Sequence, residues 1–114
     1  MRYLLQIYPD GAMDEFRSRP TDQQEAISGE YFAIHDSPAV VGGDQLQPVE
    51  TATTVRVEDG QMLLSDGPFV EAKEYVGGYY VVEADELDTA LEIAARIPAA
   101  RMGGAIEVRP LVEK

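Results

Sequence analysis

Tyr79-Tyr80-Val81-Val82 is the stretch that decides the fold. Side chains alternate across a strand, so residues 79 and 81 point one way and residues 80 and 82 the other. All four are apolar or aromatic. A strand over residues 75–83 with this centre is therefore apolar on both faces. The opening Tyr3-Leu4-Leu5-Gln6-Ile7-Tyr8 repeats the feature in a strand over residues 2–8. Tyr3, Leu5 and Ile7 share one face, Leu4 and Tyr8 the other, and Pro9-Asp10-Gly11 ends it.

Outward from these strands the chain alternates between elements. Residues 12–20 are polar and end in Arg19-Pro20. Thr21 or Asp22 caps a helix running to His35 or Asp36, with Ile27, Tyr31 and Ile34 as its apolar stripe. Gly29 weakens that helix by about 1 kcal/mol relative to alanine. Residues 40–48, with Gly42-Gly43, read as a short strand or loop. Residues 51–58 and 61–65 form a hairpin about Asp59-Gly60, a pair that tolerates the two positive φ values of a type I′ turn. Thr53, Val55 and Val57 alternate with Thr54, Arg56 and Glu58, the pattern of a half-buried strand. Asp66-Gly67-Pro68-Phe69 is a further turn. Asp85 caps a second helix to about Ile97, with Leu87, Ala90, Leu91, Ala94 and Ile97 as its stripe. Pro98 stops it. Gly103-Gly104 then turns the chain into a last strand over residues 105–111. The order β-α-β-β-β-β-α-β is that of an α+β fold.

Composition bounds the rest. A length of 114 residues fits one domain over residues 1–114, and 45% hydrophobic content supplies its core. The absence of cysteine excludes disulfides and thiolate metal sites. Nine basic against 21 acidic residues give a net charge of −12, which repels phosphate backbones and argues against nucleic acid as a partner. The N-terminal run is too short and interrupted for a signal peptide, and no segment reaches the ~18 apolar residues of a membrane span. The expected location is cytoplasmic, with no membrane association.

Two helices cover only one face of an antiparallel sheet. Strands with a second apolar face then need another cover. A second copy of the same sheet is the simplest one, so a homodimer is expected. A ligand pocket lined by that second face is the compatible rival.

The segment Thr53-Thr54-Val55-Arg56-Val57, Asp59-Gly60, Asp66-Gly67-Pro68-Phe69-Val70-Glu71-Ala72-Lys73-Glu74 and Gly77-Gly78-Tyr79-Tyr80-Val81 resembles the DGPF branch of the YCII-related proteins. Ile97-Pro98-Ala99-Ala100, Ile106-Glu107-Val108-Arg109-Pro110 and the opening strand extend the resemblance over nearly the whole chain. It implies a ferredoxin-like antiparallel sheet with two helices on one face, pairing as a dimeric α+β barrel. Members of that superfamily include small-molecule lyases, isomerases and monooxygenases, with the active site between sheet and helices. YCII proteins proper are thought to use a His–Asp pair near the first helix. Here Thr21-Asp22-Gln23-Gln24-Glu25 holds no histidine, so the pair does not carry over. The resemblance also implies a link to extracytoplasmic-function sigma factors.

Asp66, Glu71 and Lys73, with Glu74, form the densest chemical cluster. A lysine among carboxylates orients an anionic substrate while an acid serves as general base; the plainer reading is a turn braced by an ion pair. Phe69 either walls a pocket or packs. Tyr79 and Tyr80 lie on opposite faces of one strand, and either phenol can donate to a substrate oxygen. His35, the one histidine, either contacts substrate or caps its helix. Arg109 binds a carboxylate or pairs with Glu107. Two functions follow: a cofactor-independent enzyme acting on a small organic acid or lactone by proton transfer, and a non-catalytic dimeric module that binds a small-molecule ligand or a sigma factor. Neither calls for a metal or a cofactor.

Overall fold

The protein is described here by a computed structural model that covers residues 1–70, 72 and 74–113. Four strands make the main sheet: β1 (Arg2–Tyr8), β2 (Val40–Gln45), β5 (Gly78–Glu83) and β6 (Ala105–Pro110). β1 sits between β5 and β6, β2 lies outside β5, and every pairing is antiparallel. This is the ferredoxin-like order of an α+β fold.

The two-faced strands explain why β1 and β5 are central. Tyr3, Leu5, Ile7, Tyr80 and Val82 point inward and are buried, Leu5 and Val82 completely. In register, Leu5 stands opposite Tyr80 on one side and Val108 on the other. Helix α2 (Thr21–His35) adds Ile27 and Ile34 to this core. Helix α3 (Leu87–Arg96) adds Ala90, Ile93 and Ala94. The short 3₁₀ turn Pro98–Arg101 follows, and Ile97 and Ala99 complete the layer. Tyr31 ties α2 to that turn, its hydroxyl accepting from the Ala99 N–H at 3.2 Å.

The described residues hold three α-helices, where two were expected. Residues to which the sequence assigned no element form α1 (Ala12–Ser18). Ala12 is buried and Phe16 packs against the core, an i, i+4 pair too short to read as a stripe. Arg19 braces the corner between α1 and α2, reaching Glu15 at 2.5 Å and Gln23 at 3.3 Å. The expected cap at Asp85 is also revised. Glu86 precedes the first turn of α3, and no side chain bonds to it. β5 begins at Gly78, later than the apolar run suggested.

β3 (Thr53–Glu58) and β4 (Gln61–Asp66) form a separate two-stranded sheet. Asp59 and Gly60 both have positive φ, 50° and 77°, as a type I′ turn requires. The hairpin base is closed by Gly67 N–H to Ala52 C=O at 2.7 Å and Thr54 Oγ1 to Gly67 C=O at 2.8 Å. The expected half-burial of this hairpin does not occur within the chain: both strands are exposed almost throughout. No helix among the described residues is long and apolar enough to cross a membrane.

Candidate functional site

A cleft of about 450 Å³ opens between the helices and the β2–β5 edge of the sheet. That volume lies within the range that holds a small organic molecule. α1 supplies Met13 and Phe16, α2 supplies Tyr31, Phe32 and His35, and the sheet supplies Gly43, Gly78 and Tyr80. The sheet wall is built on glycine. A Cβ at Gly43 would stand 2.4 Å from the Tyr79 carbonyl oxygen, and φ there is +147°. A side chain at that position would collide with the β5 backbone and the Tyr80 ring and push the strands apart.

The polar groups are few. Among the described lining residues there is no lysine or arginine, and besides tyrosines only His35 and Asp44 can ionise. The His35 ring lies 6.5 Å from the Tyr80 ring, centroid to centroid, at an interplanar angle of 55°. Nδ1 of His35 is 3.8 Å from the Asp36 carboxylate, and the side chain is 54% exposed. Nε2, across the imidazole from Nδ1, has no hydrogen-bond partner among the described residues. Tyr80 donates its hydroxyl proton to the Tyr31 carbonyl at 3.1 Å. Burial holds the Tyr80 phenol above the ordinary tyrosine pKa, and the nearby Tyr31 adds to the effect. Tyr31 is raised by burial too, while the Ala99 amide partly offsets the shift.

The other candidate residues are placed elsewhere. Tyr79 borders the cleft from β5, but its position on the strand faces the open side of the sheet, opposite Gln6 and Asp44. Arg109 is exposed on that same open side, opposite Leu4. Tyr8 donates to Glu107 there at 3.4 Å. Tyr8 is held above its usual pKa by burial first, then by the Glu107 carboxylate, and Arg109 opposes the shift. Asp66 ends β4 and is not part of the cleft lining. Phe69 is exposed, with the Arg56 guanidinium 5.3 Å from its ring centre. Glu71 and Lys73 lie outside the described residues. The structure thus brings His35 and Tyr80 to one cavity, with Tyr79 at its border, and leaves Asp66, Phe69 and Arg109 apart from it. Met13, Phe16 and Asp44 were missed by sequence reasoning. Ala12 and Phe16 one helical turn apart, with Asp14 and Glu15 in the first turn, were the signal for the first two.

Comparison with known proteins gives three findings. The family model for the YCII-related domain matches residues 1–114. An uncharacterised protein, R00369, of Rhizobium meliloti (strain 1021) is 31% identical over 117 residues, covering 97% of this chain and 92% of that protein. Among solved structures, 5-chloro-2-hydroxyhydroquinone dehydrochlorinase (TftG) from Burkholderia phenoliruptrix AC1100, in complex with 2,5-dihydroxybenzoquinone, aligns at 16% identity. That alignment covers 100% of this chain and 96% of the other, with a TM-score of 0.49.

Proposed function

The chain belongs to the YCII-related family, and from that premise we propose that it is a cofactor-independent enzyme that moves a proton on a small lactone or related carbonyl compound held in the cleft. The observation that carries this reading is His35 at an apolar cavity of suitable size. Imidazole is the side chain that trades protons near neutral pH. Nε2 takes the proton next to the substrate carbonyl and returns it to the same or a neighbouring carbon, so no electrons are gained or lost. Tyr80 packs on the imidazole and positions it. Of an organic acid and a lactone, the lactone is favoured, because no lysine or arginine among the described lining residues meets a carboxylate. Asp66, Glu71 and Lys73, of the DGPF segment, are a second candidate set, outside this cavity's described lining.

Two copies are proposed to pair through the open side of the sheet, where Leu4, Tyr79 and Val81 are only half-buried. A cytoplasmic location accords with this reading.

The alternative is a non-catalytic dimeric module that binds a small ligand or an extracytoplasmic-function sigma factor. One observation favours it: the Tyr80 and Tyr31 hydroxyls already hold structural bonds. The net charge of −12 suits a basic protein partner.

Proton exchange in heavy water separates the two. Unsaturated five- and six-membered lactones are incubated with the protein, and deuterium entry beside the carbonyl is followed by NMR. Exchange above the buffer rate, lost by roughly 10²- to 10⁴-fold in His35→Ala, supports the enzyme. Saturable binding without exchange supports the module.

A further inference from the structure

The β3–β4 hairpin carries an apolar face that its own chain does not cover. Val55 stands opposite Leu64 and Val57 opposite Met62, so the four share one side of the ribbon. Their exposures are 56%, 60%, 67% and 66%. The opposite side holds Thr54, Arg56, Glu58, Gln61, Leu63 and Ser65. The hairpin packs chiefly on itself and reaches away from the body. The radius of gyration, 16.2 Å, exceeds the roughly 13 Å of a compact chain this long.

We propose that this face docks on a second copy of the chain, making the hairpin an arm of the dimer. Three observations select that occupant. An isolated two-stranded ribbon is marginal in water, yet this one keeps an unbroken register over six residue pairs. Its cover must therefore be present whenever the chain is folded, and only another copy is always at hand in equal amount. Second, like-charge repulsion opposes self-association of a molecule of net charge −12, and a contact surface free of carboxylates lessens that repulsion. Val55, Val57, Met62 and Leu64 provide such a patch. Third, every copy offers both a hairpin face and a half-covered sheet side at Leu4, Tyr79 and Val81. A two-fold axis then engages both twice, toward the ~800 Å² per partner of a stable interface. The inference rests on the dimer reading above and adds the element that clasps the partner.

The test is sedimentation velocity over a concentration series on the full chain, with circular dichroism to verify folding. We expect a wild-type dimer. Met62→Glu and the double variant Val57→Thr/Leu64→Thr, which keeps strand-forming residues, should weaken association about tenfold or more. Leu63→Thr on the other side should leave it unchanged. Hydrogen exchange of wild-type protein gives a second readout: amides of residues 53–66 should lose protection on dilution below the dissociation constant. A wild-type dimer with hairpin variants equally associated, or with hairpin protection independent of concentration, would overturn the arm while leaving the dimer. A wild-type monomer throughout would overturn both.

Discussion

The His35 imidazole and the Tyr80 ring lie 6.5 Å apart at the cleft, tilted at 55° to each other, one from the last turn of α2 and the other from β5. Helix and sheet thus each bring one ring to the same corner of the cleft. Tyr80 is fixed in turn by its bond to the Tyr31 carbonyl. Tyr80→Phe keeps the ring and removes that bond. We expect a stability loss of about 1 kcal/mol, read from chemical denaturation, with His35 chemical shifts little changed. Tyr80→Leu should move the His35 signals as well.

Alkali should destabilise the fold through the same pair of phenols. Burial raises both Tyr31 and Tyr80 above the ordinary value near 10. The folded state thus holds its protons more tightly than the unfolded chain. Their contribution is complete below the unfolded pKa and is lost as pH climbs through the folded one. Thermal melts between pH 9 and 11.5 should show a falling midpoint, and the fall should be shallower in Tyr80→Phe.

Gly43→Ala tests the wall behind the cleft. The added Cβ meets the Tyr79 carbonyl oxygen at 2.4 Å in a backbone conformation that L residues rarely adopt. A destabilisation of about 1–3 kcal/mol is expected. Gly42→Ala, with open space at its Cβ, is the matched control and should cost less.

Leu5 is fully buried at the centre of β1. Leu5→Ala should cost about 2–5 kcal/mol, measured by urea unfolding. Val112→Ala, at a residue 84% exposed, should fall within about 0.5 kcal/mol of wild type.

Much of this architecture was legible because short apolar runs and turn residues are local signals. The runs at residues 79–82 and 3–8, apolar on both faces, marked both central strands, and Asp59-Gly60 specified its turn. α1 was not legible. Seven residues span about two helical turns and hold a single i, i+4 apolar pair, and formation of the helix depends on Phe16 meeting a core that the sequence does not display. The family resemblance implied a site between sheet and helices, but the cleft's α1 wall was hidden for the same reason. His35 was singled out as the lone histidine, but its pairing with Tyr80 arises from tertiary packing across 45 residues of chain. Val55 and Val57 read as half-buried because alternation reports that a face wants a cover. It does not report which molecule provides it.

The lone histidine gives the most direct test of the cleft as the working site, because its imidazole yields one resolved set of NMR signals. Wild-type protein is titrated with an unsaturated lactone while the His35 Cε1–H and Tyr80 ring protons are followed. Saturable shifts of both, with one dissociation constant, are expected. Saturable binding that leaves both sets unmoved and instead shifts residues around Asp66 and Phe69 would contradict the assignment.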